Sequence, residues 1–246
     1  MASAHFFGGA GFDPGGGPTR GPAVQRRRLA LLGVLAAHAP RGVSRDKLIA
    51  WFWPEQSTAR ARHFLADSLY VLRHALGRTA IISVGDDLVL NGAVIATDVE
   101  AFREAFHRGD HARVVELYVG PFFDGAFIHD APEFERWVET TRGGLATQYA
   151  HSVETLARSC EARGDFGAAL SLWRGLAAHD PYDSRIATRL LLALDAAGNH
   201  VGAVRHAHAY LAKVRAEMGE ECVAAVQHVT RWLAGNTLSA RTERSH

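Results

Sequence analysis

Seven side chains along the stretch Ser57–Gly77 have the types and spacing to meet a nucleic acid. Arg60, His63, Asp67, Tyr70 and His74 recur at steps of three or four, with Arg62 and Arg73 on the flanks. At about 100° per residue such a set forms one stripe of a helix. A stripe of cations, hydrogen-bonding groups and an aromatic ring suits a DNA groove, where Arg reads guanine edges and Asp accepts from the cytosine amino group. Arg60, Arg62 and His63, near the helix start, are candidates for groove and phosphate contacts; Tyr70, Arg73 and His74 extend them along the backbone. Asp67 either accepts from cytosine or orients a neighbouring Arg. Arg26, Arg27, Arg28 and Arg45 are further candidate phosphate contacts. An ordinary amphipathic helix with a solvated charged face has the same pattern, so the surroundings must decide.

Other chemistries lack their residues. The 14 histidines form no H-E-x-x-H; His206 and His208 are two apart, on different helix faces, and Gly109 interrupts the pair His107 and His111. Asp130, Glu133, Glu135 and Glu139 accompany Phe134, Trp137 and Val138 on what reads as an exposed helix face, with no sign of a cleft to separate their pKa values. The glycines of residues 5–24 are followed by no Gly-Lys-Ser/Thr, and there is no G-x-S-x-G. No metal, cofactor or enzymatic activity is expected. Cys160 and Cys222 read as free thiols in helical patterns.

A chain of 246 residues, 48% hydrophobic, can bury one large core or two small ones. It has no apolar run of about 18 residues for a membrane span and no basic-then-apolar leader, so the cytoplasm is the default compartment. The net charge of +1 conceals an asymmetry. Residues 1–97 carry 11 Lys/Arg against 6 Asp/Glu, and residues 98–246 carry 16 against 20, giving +5 and −4. A basic first part beside a mildly acidic remainder suits a nucleic-acid module joined to one with a different partner.

The elements that must position the stripe follow from periodicity. On the helix's other side, Ala61, Leu65, Leu69, Leu72 and Leu76 form its buried face, with Ser57 placed as N-cap and Gly77 as a left-handed stop. Ahead of it, Gln25–His38 reads as a strongly apolar helix stopped by Pro40 and Gly42. Ser44 caps a second helix that Pro54 closes, leaving a tight turn of Glu55 and Gln56. That order is a helix-turn-helix. Residues 81–84 and 88–90 alternate around Gly85-Asp86-Asp87 as a β-hairpin, and the Gly/Pro-rich residues 5–24 suit short leading strands, which completes a winged helix. The acidic turn speaks against phosphate contacts by Asp86 or Asp87.

The second half repeats itself. Gly164-Asp165-Phe166-Gly167-Ala168-Ala169-Leu170 and Gly198-Asn199-His200-Val201-Gly202-Ala203-Val204 align at a spacing of 34 residues, the tetratricopeptide period, with a related copy from Gly109 out of period. Leu156, Trp173, Leu176, Leu190, Leu191 and Leu194 are then core residues, and 236–246 reads as a disordered tail.

These residues also carry a resemblance. Arg27-Arg28-Leu29-Ala30-Leu31-Leu32, Val43-Ser44-Arg45-Asp46-Lys47-Leu48, Trp53-Pro54-Glu55, Ala61-Arg62-His63, Leu69-Tyr70-Val71-Leu72-Arg73 and Leu76-Gly77 resemble the N-terminal half of the bacterial transcriptional activator domain family, the SARP-type regulators. The similarity continues through Thr97–Phe102, Leu117–Phe122, Ala131–Trp137 and Asp180–Asp183. It implies a mainly α protein: a response-regulator-type winged helix-turn-helix over 1–97, then an all-α, tetratricopeptide-like activator domain over 98–235. It further implies binding of double-stranded DNA at promoter repeats and contact with RNA polymerase, for which the turn Pro54-Glu55-Gln56 is the candidate surface. The match departs at Phe64, where the family often has a small polar residue, and at Ala66 and Val71, where it often has basic ones.

Residues and resemblance together point to a DNA-binding transcriptional regulator, with a homodimer among the roles open to the helical repeats and no membrane partner. Two alternatives stay open. One is an interaction scaffold whose winged helix no longer binds DNA, favoured by Ala66, Val71 and the acidic turn. The other is the front end of a longer protein.

Overall fold

The structure, a computed structural model, describes residues 2–15, 25–218 and 227–235. Cys222, residues 16–24 and the expected tail 236–246 lie outside the described residues. Contacts divide the chain into an N-terminal unit, residues 1–149, and a C-terminal unit, residues 150–246.

Two small sheets frame the N-terminal unit. In the first, β1 (Ala2–His5) lies between β2 (Gly11–Asp13), antiparallel, and β6 (Ile95–Thr97), parallel, with Ala2 opposite Ile95 and Ala4 opposite Thr97. The leading strands therefore begin at Ala2, earlier than 5–24. Next comes α1 (Arg26–His38), buried on every side from Leu29 to Ala37. A helix apolar all round belongs at the centre of a core. Gly33 shows how tight that centre is: a Cβ there would stand 2.2 Å from Phe123 Cζ.

The second sheet joins β3 (Val43–Ser44), β4 (Ile81–Val84) and β5 (Asp87–Leu90) in the order β3-β5-β4, all antiparallel. Gly85, at φ 58°, makes the tight turn between β4 and β5. Between β3 and β4 run α2 (Arg45–Phe52) and α3 (Thr58–Leu76). Ser44 caps α2 by accepting from the Lys47 N–H at 3.3 Å. Ser57 holds the N-cap position of α3, yet its hydroxyl makes no capping bond; residues 57–60 are exposed, so water can serve those donors. Gly77 ends α3 at φ 106° and ψ 144°, a positive φ with an extended ψ, not the left-handed helical conformation.

All five residues expected on the buried face of α3 are buried. They join a core that runs without interruption from Ala2 to Leu145 and takes in Phe6, Phe7, Phe52, Phe122, Phe123 and Phe134. The border drawn at 97/98 therefore falls inside one core, crossed by α4 (Asp98–His107) and α5 (His111–Leu117). Asp98 fastens α4 to the first sheet's end: its Oδ2 accepts from the N–H groups of Phe6 (2.7 Å) and Phe7 (2.9 Å).

The C-terminal unit begins within α6 (Pro132–Ala162) and continues as α7 (Phe166–His179), α8 (Ser184–Ala196) and α9 (His200–Met218). The 34-residue repeat is structural. Gly164 and Gly198 both have φ near 75°, Asp165 and Asn199 both cap the next helix, and Ala169 and Ala203 are both buried. The out-of-period copy does the same in the N-terminal unit: Gly109 turns at φ 70°, Asp110 accepts from the Arg113 N–H, and Val114 is buried. Trp173, Leu176, Leu190, Leu191 and Leu194 are core residues, but Leu156 is only half-buried, because the inner line of that turn runs through Val153, Ala157 and Cys160. No helix among the described residues is long and apolar enough to cross a membrane.

Candidate nucleic-acid interface

With its apolar stripe in the core, α3 turns Arg60, Arg62, His63, Asp67, Tyr70 and His74 to the outside; Tyr70 is 71% exposed. Phe64, which the sequence offered as a departure, has a local use. The Arg60 guanidinium lies 5.5 Å from its ring centroid and the ring packs against Trp53 at 6.1 Å, so an i, i+4 cation–π contact holds Arg60 at the start of the helix. Tyr70 and His74, also four apart, stack nearly parallel with centroids at 6.4 Å. Arg62 approaches Asp46 at 3.8 Å, but both are well exposed and such a pair adds little. Val71 packs on the core.

The basic run at the start of α1 divides into three fates. Arg28 is mostly covered, and its Nη2 meets Asp67 Oδ2 at 2.7 Å while Nη1 donates to Gln25 Oε1. Asp67 thus orients an Arg of another helix, and the Arg28 charge is already matched. Arg27 donates to the His129 carbonyl at 3.0 Å and lies 5.9 Å from the Trp53 ring centroid. Arg26 is exposed.

Arg45 and Arg73 are brought together on the wing. Arg73 Nε donates to the Ile81 carbonyl at 2.9 Å and its Nη2 stands 3.5 Å from Ser83 Oγ; Arg45 Nη2 donates to the same hydroxyl at 2.8 Å. Burial, and then the Arg45 charge, press the Arg73 guanidinium below its ordinary pKa. Two surface grooves adjoin at Ala66, one including Arg45 and the other Arg73. One, of about 450 Å³, runs between α2, α3 and the wing turn; the other, of about 670 Å³, follows Tyr70, Arg73, His74 and Arg78; both are floored by Ala66. The small side chain at this departure from the family pattern leaves the middle of α3 open. No signal in the sequence singled out Ser83.

Pro54, Glu55 and Gln56 are exposed on the turn before α3, and Asp86 is exposed at the wing turn. Among the described residues, no group of three or more His, Cys, Asp or Glu side chains is placed to hold a metal ion.

The pattern of the bacterial transcriptional activator domain matches residues 93–233, more than half of the chain. The chain belongs to that family. It is a transcriptional regulator of SARP/BTAD type. Among solved structures it is similar to Mycobacterium tuberculosis EmbR, described in complex with a low-affinity phosphopeptide, with 17% identity, a TM-score of 0.65, and coverage of 99% of this chain and 70% of that one. At that identity the likeness concerns the fold: a winged helix followed by a helical domain. No curated protein matches the chain. The family match begins at residue 93, within the core of the N-terminal unit, so the matched family region and the compact packing units divide this chain differently.

Proposed function

We propose that this regulator binds double-stranded DNA sequence-specifically, with α3 lying in the major groove, and that it activates transcription from promoter repeats in the cytoplasm. The supporting observation is the division of α3 into a fully buried apolar stripe and an exposed face bearing Arg60, Arg62, His63, Tyr70 and His74. Arg60, braced on Phe64, and His63 are the base readers at the helix start; Arg62, Tyr70 and His74 contact the backbone. Arg26 and Arg27 flank them as backbone contacts, while Arg28 and Asp67 position α3 against α1. In functional terms residues 1–97 are the DNA-binding part and 98–235 the activator part, although one core spans the border. The exposed turn Pro54-Glu55-Gln56 faces RNA polymerase, and the helical repeats bind a second copy or the polymerase.

Binding of the purified protein to labelled fragments of its own upstream region tests this, with the double variant Arg60→Ala/Arg62→Ala alongside. Saturable binding that exceeds binding to shuffled duplex and collapses in the variant is the expected result. Equal binding to both duplexes, unchanged in the variant, would contradict it and favour the scaffold reading to which the acidic wing turn gives support.

A further inference from the structure

Most of the arginines that this fold uses internally come with a partner of opposite charge or a carbonyl. Arg28 has Asp67, Arg185 has Glu154 and Asp183, and Arg103 donates to the Ala37 carbonyl at the end of α1. Arg45 and Arg73 differ from the ion-paired ones, although Arg73 also donates to a carbonyl, that of Ile81. They converge on one uncharged hydroxyl, Ser83 Oγ, and among the described residues neither has a carboxylate within ion-pair distance. Two like charges held on one neutral group repel each other, and the arrangement gains only when an anion comes between them.

We propose that Arg45, Arg73 and Ser83 form a binding site for one phosphate group of a DNA backbone. The DNA reading supplies the source of the phosphate; the existence of an anion site does not depend on it.

The Arg73 fork is held before any ligand arrives. Arg73 is anchored through Nε to the Ile81 carbonyl, which leaves its terminal nitrogens for a second acceptor, and the Arg45 main-chain N–H bonds the Asp86 carbonyl at 3.1 Å, tying the start of α2 to the wing turn. A planar guanidinium fixed in this way suits phosphate oxygens, because little side-chain freedom is lost on binding. Ser83 is exposed and its hydroxyl can donate as well as accept.

The direction of approach follows from charge. The groove toward α2 includes Asp46 and Asp86, whereas the groove along Tyr70, Arg73, His74 and Arg78 contains no carboxylate. A backbone phosphate enters from the second side, over Ala66. The wing of this protein then grips DNA through Ser83 on β4, two residues before the Gly85-Asp86 turn, and not through the carboxylate of the turn.

Salt dependence of binding to an upstream-region duplex decides the matter, using the full chain, Arg45→Gln and Ser83→Ala, each checked for an unchanged melting temperature. Each phosphate neutralised contributes about 0.9 to the slope of log affinity against log salt. Arg45→Gln should lower the slope by about 1 and weaken all duplexes alike. Ser83→Ala should cost about threefold to tenfold in affinity with the slope nearly kept, since it removes one hydrogen bond and no charge. Wild-type slope and affinity in both variants would overturn the site while leaving the recognition helix intact. If the wild type binds no duplex, the arginine Nε–Hε resonances are followed during titration with inorganic phosphate against chloride at equal ionic strength. A response of Arg73 that Ser83→Ala abolishes keeps the anion site and removes DNA as its source; no response removes both.

Discussion

In the C-terminal unit Arg158 and Arg185 both reach the carboxylate of Glu154, which is 9% exposed, and Arg185 also meets Asp183. Hydrogen bonding to Glu154, more than any other contact, raises the Arg185 pKa. In the N-terminal unit Arg73 is pushed the other way, chiefly by burial and then by Arg45, and Arg60 rests on a ring. The same side chain thus has a carboxylate partner at Arg158, Arg185 and Arg28, and none at Arg45, Arg60 and Arg73. A cation whose charge is already matched serves the fold; one whose charge is not matched is available to a ligand.

The largest expected effects test whether the two units hold together by themselves. Phe123 and Trp173 are each fully buried, Phe123 against Phe6, Phe122 and Phe134, and Trp173 with its Nε1 donating to Glu161. Phe123→Ala and Trp173→Ala should each cost about 3–5 kcal/mol in their own unit, measured by denaturant melts. Gly33→Ala, which drives a methyl into Phe123, should cost about 1–3 kcal/mol and act only on the N-terminal unit.

The comparison of arginines is sharpened by a pair of variants. Glu154→Gln should lower stability by about 1 kcal/mol, since its partners are half-exposed, and leave DNA affinity as it was. Arg45→Gln should do the reverse. If Glu154→Gln weakened DNA binding as strongly as Arg45→Gln, matched and unmatched arginines would not differ in the way described. Among the caps, Asp165→Ala and Asn199→Ala should each cost about 1 kcal/mol, because each leaves a first-turn N–H without its acceptor.

The smallest effect is in pH. Burial holds both His38 in the N-terminal unit and His206 in the C-terminal unit below the ordinary imidazole value, so the folded chain binds fewer protons than the unfolded chain just below about pH 6.5. Stability is complete above that value and is lost as pH falls through the lowered pKa values. Asp98 has the opposite sign: burial outweighs its three backbone donors and raises its pKa, so its contribution, present below about pH 3.9, is lost as pH rises through the raised value. Melting temperatures taken from pH 4 to 7.5, with Asp98→Asn as control, check both signs.

How much of this could be read beforehand depended on distance along the chain. The α3 stripe, the Ser44 cap, the wing hairpin and the 34-residue repeat all rest on neighbours within a few turns, and the pattern of residues carries them directly. Arg28 and Asp67 lie 39 residues apart, Arg45 and Ser83 lie 38 apart, and Arg27 reaches a carbonyl 102 residues away. Those meetings are decided by how helices and sheet pack, so a basic run that looked uniform separates into one exposed arginine and two engaged with the rest of the unit. Ser57 shows the local limit: its type favours capping, and an exposed helix end does not require it.

Selection of bound duplexes from a random DNA pool, for the wild type and for Arg60→Ala, tests the central claim most directly. A repeated motif should emerge for the wild type, and Arg60→Ala should lose preference at a single defined position in each repeat, with a cost there of about 1–3 kcal/mol. Enrichment of no motif, or of the same motif at full strength by Arg60→Ala, would contradict the assignment of α3 as the helix that reads DNA.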